Sequence, residues 1–377
     1  MKNVRFVGLD VHAESIAVAV AEADGEVRSV GVIPNRAESV ARLIRKLGKP
    51  EQLRVCYEAG PTGYVLYWQL SELGVKCEVV APTLVPVKTG DRVKTDRRDA
   101  QKLARSYRGG DLTAVWVPDA AHEALRDLVR ARWAAKRDQL RARHRLSKFL
   151  LRHGRRAPQG TNAWTDKYLQ WMKSQVSFAH HAQELTLEDY VHEVEHAALR
   201  IARLEHAIDG VIGKLPVKMR AVIEALQSLR GIAQISAVSI VAEVGKLSRF
   251  EHPRQLMGYS GAVCREHSSG ARIQRGPISK TGNAHLRRIA VEAAWAYRHR
   301  PAIGKTLAAR QQHSTAAVIE LAWKAQHRLH QRYARLMARG KTKQQTVTAV
   351  ARELLGFIWA IGMQVERELD LAVPKAA

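Results

Sequence analysis

Hydrophobic and polar positions in the first hundred residues change repeatedly between the two-residue period of strands and the wider spacing of helices. The strand-like runs predict five strands, at residues 4–11, 15–21, 26–33, 52–57 and 75–80. The helical spacing predicts helices at residues 37–47, 63–73 and 96–108. Asp24 and Gly25 form a hairpin signal between the second and third strands. Three antiparallel strands followed by helices and strands in alternation is the order of an RNase H-like fold.

The middle of the chain, about residues 118–225, is predicted to be helical. Apolar residues recur there at spacings of three and four, which is an approximate heptad. The pattern comprises Leu187, Val191, Val194, Ala198, Ile201, Leu204, Ile208, Val211 and Leu215. A helix that faces its own core and a coiled coil that joins protomers both produce this spacing, so both interpretations stay open.

Basic residues far outnumber acidic ones: 61 Lys and Arg stand against 36 Asp and Glu, and the formal net charge is +25. Such an excess favours a polyanionic partner, and nucleic acid is preferred to a membrane because no apolar run approaches ~20 residues. Residues 130–156 are dense in arginine, and Arg141 and Arg145 are expected to contact phosphates. A solvated helix face is the alternative explanation.

The sequence that begins near Leu229, LRGIAQISAVSIVAEVG, resembles a helix-hairpin-helix, which holds phosphate with a tight glycine turn and backbone amides. Ala233 replaces the usual second glycine, so a plain helical hairpin explains the pattern equally well. Four regions are expected: an α/β domain over 1–115, a helical region for nucleic-acid binding and oligomerisation over 116–225, a mainly helical domain over 226–300, and a helical extension over 301–377.

The cysteines and the N-terminal residues indicate the cellular compartment in which the protein works. Cys56, Cys77 and Cys264 form no CxxC pair, and the chain starts directly with a strand pattern. These features predict a reduced, cytoplasmic protein without a zinc site or disulfide bonds.

Four carboxylates lie where predicted elements end or begin. Asp10 and Glu58 end apolar strands, whereas Asp96 and Asp99 fall in the first turn of a predicted helix. Each has an ordinary explanation when taken alone, because strands often end in acidic turns and acids favour helix N-termini. Thr95 or Asp96 could also cap the helix. In an RNase H-like fold, however, these four positions converge at one end of the sheet.

That convergence favours a metal site. Carboxylate oxygens suit Mg²⁺ or Mn²⁺, and two such ions stabilise both the attacking and the leaving oxygen in phosphodiester chemistry. Asp96 and Asp99 are three residues apart and share a helix face, so both can reach the ions. Arg97 and Arg98 point elsewhere and are expected to contact a phosphate backbone.

A glycine-rich basic turn contains Ser268 and Ser269. An ordinary surface turn explains this composition, because serine and glycine are common turn residues. The functional alternative is a serine nucleophile, which needs a base or a metal to activate it. The expected phosphate contacts around the turn are Arg265, Arg272, Lys280 and Asn283, of which the last two could instead belong to a helix cap.

Several long motifs resemble the IS110 class of insertion-sequence transposases. The segments that resemble its N-terminal domain are GLDVHAES, CYEAGPTGYVLYWQL, VAPTLVPVKTGDRVKTDRRDAQKLAR and LTAVWVPD. Those that resemble its C-terminal transposase domain are FEHPRQLMGYSGAVCREHSSG and ISKTGNAHLRRIAVEAAW. The segment AVARELLGFIWAI is similar to the IS1111 branch. The resemblance extends from about residue 4 to residue 362.

The resemblance implies a RuvC-like domain whose DEDD acids are Asp10, Glu58, Asp96 and Asp99, and a catalytic serine at Ser269, with Ser268 adjacent. It implies DNA cleavage through a 5′-phosphoserine link and strand exchange through a Holliday junction. It further implies donor and target DNA as substrates, a structured bridge RNA as guide, and a homo-oligomer, dimer or tetramer, whose protomers share the active site.

Three other classes compete with this interpretation. A Holliday-junction resolvase or nuclease explains the four acids but leaves the C-terminal half without a role. A sugar-kinase or actin-like ATPase fits GLDVHAES but needs a second glycine-rich phosphate loop, which the sequence lacks. A non-catalytic nucleic-acid-binding protein would retain its function after single acid substitutions.

Overall fold

The computed structural model describes residues 4–86, 95–270 and 272–372. The chain divides into two compact units, Met1–Val117 and Pro118–Ala377. The first unit is α/β and the second is mostly helical. This confirms the predicted secondary-structure content of the two parts of the chain.

A five-stranded mixed sheet forms the centre of the first unit. Its strands are β1 (Arg5–Val11), β2 (Ser15–Glu22), β3 (Val27–Pro34), β4 (Leu53–Glu58) and β5 (Lys76–Val80). The strand order is β3-β2-β1-β4-β5, in which β1, β2 and β3 run antiparallel and β1, β4 and β5 run parallel. The carboxyl ends of β1 and β4 therefore lie side by side at one edge of the sheet.

Helices cover both faces of this sheet. They are α1 (Ala37–Leu47), α2 (Val65–Glu72) and α3 (Asp96–Gly109). Alternating strand residues such as Val7 and Leu9 form one core with residues of α1 and α2. The opposite face is lined by small residues, among them Ala17 and Ala19, and packs against α3. Small side chains on that face allow α3 to approach the sheet closely.

Gly8 in β1 is a point of very close approach between the sheet and α3. A Cβ atom on Gly8 would lie 2.3 Å from the carbonyl oxygen of Ala100 and 2.4 Å from the amide nitrogen of Ala104. Real Cβ atoms do not approach backbone this closely, so the packing requires glycine. Because Gly8 and Asp10 share one face of β1, the same packing carries the start of α3 toward Asp10.

The second unit consists mostly of helices that pack around one main hydrophobic core and one separate, smaller cluster. Its helices are α4 (Ala120–Arg152), α5 (Asp166–Gln175), α6 (His181–Ile212), α7 (Val217–Leu226), α8 (Gln234–Val244), α9 (Pro253–Tyr259), α10 (Ala284–Ala294), α11 (Lys305–Gln311), α12 (Ala316–Ala338) and α13 (Lys343–Ala372). Its two strands, β6 (Cys264–Glu266) and β7 (Arg275–Ile278), form an antiparallel hairpin. The main core extends from Leu125 in α4 to Val365 in α13.

The heptad-like face of α6 packs within the chain. Leu187 and Val194 join Leu146 of α4 in a separate hydrophobic cluster. Arg132, early in α4, donates a hydrogen bond of 2.8 Å to Glu205, late in α6. The first half of α6 packs against the last part of α4. The two helices are therefore antiparallel. The core-facing interpretation of the heptad therefore accounts for these residues.

Helix α13 is the one described segment whose length and apolar composition would allow it to cross a membrane. Half of the most apolar stretch of this helix is buried inside the second unit. Its buried residues, which include Val350, Leu354 and Ile358, belong to the main core. Core packing therefore explains the apolar character of this helix.

Helices α7 and α8 form the hairpin that resembles a helix-hairpin-helix. Gly231 in the turn has φ of 85°, the left-handed region that favours glycine. A Cβ atom there would lie 2.4 Å from the carbonyl oxygen of Ala293 in α10. The turn is thus packed closely against another helix of the same unit, and Ala233 directly precedes α8 as its N-terminal cap residue.

Candidate active site

Asp10, His12 and Asp96 bring three potential metal ligands together at the carboxyl edge of the sheet. One ligand atom from each residue lies within 4.8 Å of the other two. His12 Nε2 is 3.4 Å from Asp10 Oδ2 and 3.6 Å from Asp96 Oδ1. Among the residues that the structure describes, this is the only such group of three or more ligands.

Local structure explains why these side chains meet. Asp10 and His12 are two residues apart at the end of β1 and so project from the same face. The side chain of Asn35 donates a hydrogen bond of 2.8 Å to the carbonyl oxygen of His12 and fixes the chain where it leaves the strand. Asp96 is the first residue of α3, which the packing at Gly8 holds against the same face.

The carboxyl of Asp10 is the most enclosed of the three groups, with 23% of its side chain exposed, against 51% for His12 and 62% for Asp96. Burial raises the pKa of Asp10, and the negative charges of Asp96 and Asp99 raise it further, whereas His12 opposes the shift. Several carboxylates held close together disfavour one another's charge. A bound cation would relieve that repulsion.

Glu58 and Asp99 lie near this group without being part of it. The residue before Glu58, Tyr57, pairs with Leu9, which places Glu58 beside Asp10 on the neighbouring parallel strand. Glu58 and Asp10 line the same open depression. Asp99 is one turn into α3 and acts on Asp10 through its charge.

Thr95, and not one of the two acids, is the N-terminal cap residue of α3. Its side-chain oxygen accepts a hydrogen bond of 3.3 Å from the amide of Arg98. Asp96 is therefore not needed as the cap, although both acids still favour the positive end of the helix dipole. Arg97 and Arg98 are exposed in this first turn.

The donor set fits a hard divalent cation. Carboxylate oxygens from Asp10 and Asp96 are ligands that Mg²⁺ and Mn²⁺ accept, and Mn²⁺ also accepts imidazole nitrogen. Burial is the main cause of the raised pKa of Asp10, and the nearby charges of Asp96 and Asp99 add to it. The chemistry of the residues therefore fits a metal site.

His12 is a candidate ligand that the sequence-based reasoning did not single out. The signal was present in Asp10-Val11-His12, because residues two apart on a strand share a face. Applying the two-residue period to the end of β1 would have identified the histidine.

Ser269 lies at the tip of the hairpin formed by β6 and β7, in the second unit. Its amide and carbonyl pair with those of Arg272 at 3.2 Å, so its backbone is held in a small bridge. Gly270 follows with φ of 57°. The side chain of Ser269 is exposed, and within the described residues its hydroxyl makes no hydrogen bond.

The neighbouring Ser268 is engaged differently. Its hydroxyl donates a hydrogen bond of 2.8 Å to Glu266 Oε1 and accepts one of 3.3 Å from the amide of Gln274. The hydrogen bonds of Ser268 thus connect the two sides of the hairpin. Of the two serines, Ser269 has the hydroxyl that is open to a substrate.

The predicted phosphate contacts near the hairpin fall into two groups. Arg265, Arg272 and Lys280 are exposed, and Lys280 has an unusual φ of 60° for a side-chain-bearing residue. Asn283 instead has both polar side-chain atoms bound within the protein: Oδ1 caps α10 through the amide of Leu286, and Nδ2 donates to Glu243. Asn283 therefore acts as the N-terminal cap of α10, which was one of the two roles that the sequence allowed.

Arg141 and Arg145 lie on the exposed surface of α4. Arg141 pairs with Asp138 at 3.3 Å, an exposed contact that contributes little stability. The guanidinium of Arg145 lies 5.9 Å from the ring centre of Tyr190. Both positions are accessible to a phosphate backbone.

Comparison with known proteins gives two family matches. Residues 7–154 match the DEDD type of IS110 transposases, and residues 223–309 match the transposase IS116/IS110/IS902 family. A putative transposase of Sinorhizobium fredii is 46% identical over 96% of this chain and 89% of its own length. The transposase of insertion sequence element IS1533 from Leptospira borgpetersenii is 31% identical over 90% of this chain and 99% of its own. The chain therefore belongs to the IS110 class of insertion-sequence transposases.

Proposed function

We propose that this transposase is a metal-dependent recombinase in which the acids of the first unit and Ser269 of the second act on the same DNA phosphate. The observation that carries the proposal is the convergence of Asp10, His12 and Asp96 beside Glu58 and Asp99. The strand order of the first unit supports an RNase H-like fold, in which acids meet at this edge of the sheet.

Asp10, Glu58, Asp96 and Asp99, together with His12, would hold one or two divalent ions, with Mg²⁺ as the expected metal. When bound, the metal supplies Lewis-acid stabilisation of charge on the phosphate oxygens. The chain contributes the arrangement of ligands, which the register of β1 with β4 and the packing at Gly8 hold in place. Arg97 and Arg98 would bind the backbone of the same strand.

Ser269 would be the nucleophile. Its Oγ attacks the scissile phosphorus, a new Oγ–P bond forms, the bond from phosphorus to the 3′ oxygen breaks, and the hydroxyl proton ends on that oxygen. The strand on the 3′ side of the cut stays linked to the protein through its 5′ phosphate, which conserves the phosphodiester energy for strand exchange through a Holliday junction. Arg265, Arg272 and Lys280 would hold the DNA backbone around the serine.

We further propose that a structured RNA selects donor and target DNA by base pairing, while the protein binds backbones through charge. The net charge of +25 and the exposed arginines of α4 support this division of labour. A homo-oligomer would bring the acids and serines together for coordinated cuts on two duplexes.

Trapping the covalent intermediate tests the proposal. The protein, its co-purifying RNA and donor DNA labelled at the 3′ end are incubated with Mg²⁺ and then denatured, so that only covalently bound label migrates with the protein. We expect an adduct from the wild type and from Ser268→Ala, and none from Ser269→Ala.

The outcomes separate the competing functions. Cleavage without an adduct in the wild type would indicate a nuclease that uses water as nucleophile. An adduct that persists in Ser269→Ala would show that another residue attacks. Cleavage that survives Asp10→Asn and Asp96→Asn would contradict the role of the acid site.

A further inference from the structure

A buried carboxylate in the second unit lies beneath the hairpin that carries Ser269. Glu243, in α8, has about 1% of its side chain exposed. It accepts two hydrogen bonds from Arg130 of α4, at 2.8 and 2.9 Å, in a bidentate pair. It also accepts one of 2.7 Å from Asn283 Nδ2 at the start of α10.

These partners keep Glu243 ionised. Burial raises the pKa of Glu243, but the hydrogen bonds from Arg130 and Asn283, followed by the charge of Arg130, outweigh burial and leave the pKa below its ordinary value. The negative charge is thus retained inside the protein. Such a group holds its donors in fixed directions, because moving any of them would leave a buried charge incompletely bound.

The same residue is linked to both ends of the hairpin. Tyr259, at the end of α9, precedes the hairpin, and its hydroxyl donates a hydrogen bond of 2.9 Å to the backbone oxygen of Glu243. Asn283 follows the hairpin, and its amide donates one of 2.7 Å to the carbonyl oxygen of Tyr259. Glu243 therefore binds the residue where the chain enters the hairpin region and the residue where it leaves.

The backbone between these ends is tightly constrained. A Cβ atom on Gly282 would lie 2.3 Å from the carbonyl oxygen of Tyr259, and one on Gly261 would lie 2.4 Å from that of Thr281. Lys280 adopts a left-handed φ of 60°, a conformation that persists where the surrounding structure imposes it. Its amide donates to the carbonyl oxygen of Gly261.

We infer that Glu243 is a positioning residue that fixes the base of the serine hairpin, and through it the place of Ser269. The inference rests on the proposed role of Ser269 as nucleophile. The hairpin needs an anchor because β6 and β7 are short and their residues are largely exposed. Glu243 provides it by joining α4, α8, the end of α9 and the start of α10 in one hydrogen-bonded group.

The test begins with Glu243→Gln, which preserves shape but turns one acceptor oxygen into a donor. This donor opposes Arg130 in either orientation of the amide, and it also opposes Asn283 when the nitrogen replaces Oε2. A nitroxide spin label on Cys264, the exposed cysteine of β6, reports hairpin mobility, because Cys56 and Cys77 are buried. We expect a more mobile spectrum in this variant. At saturating DNA the rate of adduct formation should fall at least tenfold, while the half-saturating DNA concentration changes less than twofold.

Glu366→Gln is the matched control. Glu366 is also a buried acid of the second unit, but it accepts from the backbone amides of Leu247 and Ser248, at 2.7 and 2.8 Å. This variant should leave the spectrum of the label on Cys264 unchanged. It therefore separates loss of the hairpin anchor from general loosening of the helical core.

A swapped pair supplies the rescue. In Asn283→Asp the carboxylate still caps α10 but repels Glu243, so the label should become mobile. In the double variant with Glu243→Gln, the new amide donates to Asp at position 283 and should restore at least half of the lost adduct rate.

Two results would overturn the inference. One is an unchanged label spectrum and adduct rate in Glu243→Gln. The other is an equal increase in label mobility in Glu366→Gln. The label experiment needs no DNA chemistry, so its failure is distinguishable from a failure of Ser269 as nucleophile, which the adduct of Ser269→Ala reveals.

Discussion

The acid site and the serine hairpin are held in place by different means. Asp10 is set by the register of a central strand, and the start of α3 is pressed toward it by backbone packing at Gly8. Ser269 is exposed on a two-stranded hairpin, and its position depends on hydrogen bonds at the hairpin base. The elements that carry the acids are fixed by packing between the sheet and α3, whereas the position of Ser269 depends on polar contacts that can loosen without unfolding the unit.

The largest expected effect is on the acid side. Asp10→Asn removes the charge of a proposed metal ligand, so Mn²⁺ binding, measured by electron paramagnetic resonance, and adduct formation should both fall by about 100-fold or more. Because this substitution also removes charge repulsion, the thermal midpoint should stay equal or rise. Asp24→Asn, an exposed acid in the β2–β3 turn, is the control and should change neither quantity. A large loss of stability in Asp10→Asn would contradict the assignment of Asp10 as a functional rather than structural acid.

The packing at Gly8 should give the largest stability effect. Gly8→Ala forces a methyl group against the backbone of α3, and we expect a loss of about 1–3 kcal/mol in the free energy of unfolding. Gly60→Ala, where the nearest atom is 3.8 Å away, is the matched control and should change stability little. Chemical denaturation measures both. Equal effects from the two substitutions would show that α3 is not held by this contact.

The pH dependence of stability distinguishes the two regions further. The pKa of Glu243 is lowered on folding, so its stabilisation is complete above the ordinary glutamate value of 4.5 and is lost as the pH falls through the lower folded value. Unfolding of the wild type between pH 6 and pH 3 should therefore show a decline that Glu243→Gln flattens. An identical decline in the variant would mean that other carboxyls account for it.

Ser268→Ala should have a smaller effect on activity. The substitution removes hydrogen bonds to Glu266 and Gln274 at the hairpin tip, each with a net contribution of ~1 kcal/mol, so adduct formation should slow by about fivefold. Single-turnover kinetics measure the rate. Complete loss of the adduct would instead assign the nucleophile to Ser268.

The smallest effect is expected at the start of α3. Thr95→Ala removes the side-chain cap, and we expect the free energy of unfolding to fall by about 1 kcal/mol. Thr95→Ser should retain the cap and most of the stability. If the two variants behaved alike, Asp96 would have to be the effective cap, and its role as a ligand would weaken.

The strands and helices of the first unit were predictable because packing between the sheet and its helices imposes regular apolar patterns on the chain. Each of the five strands lies within one residue of its predicted bounds, and α1 matches at both ends. The β6–β7 hairpin was not predicted as strands, since its residues are short, polar and exposed and carry no apolar alternation.

The site was predictable only in part for a related physical reason. Asp10 and Glu58 stand out because they interrupt apolar strands, and Asp96 and Asp99 stand out by helix periodicity. His12 falls just beyond a strand and needed the face alternation to be continued past its end. Glu243 looks like an ordinary acid in an apolar helix, since its partners Arg130 and Asn283 are 113 and 40 residues away in sequence.

Mass spectrometric mapping of the covalent adduct identifies the residue that attacks the DNA. The trapped complex is digested with protease and nuclease, and the peptide that spans residues 266–272 is fragmented. We expect a nucleotide linked through its 5′ phosphate to Ser269, formed with divalent metal in the wild type and absent in Asp10→Asn. A nucleotide on any other residue, or the same amount of adduct from Asp10→Asn, would contradict it.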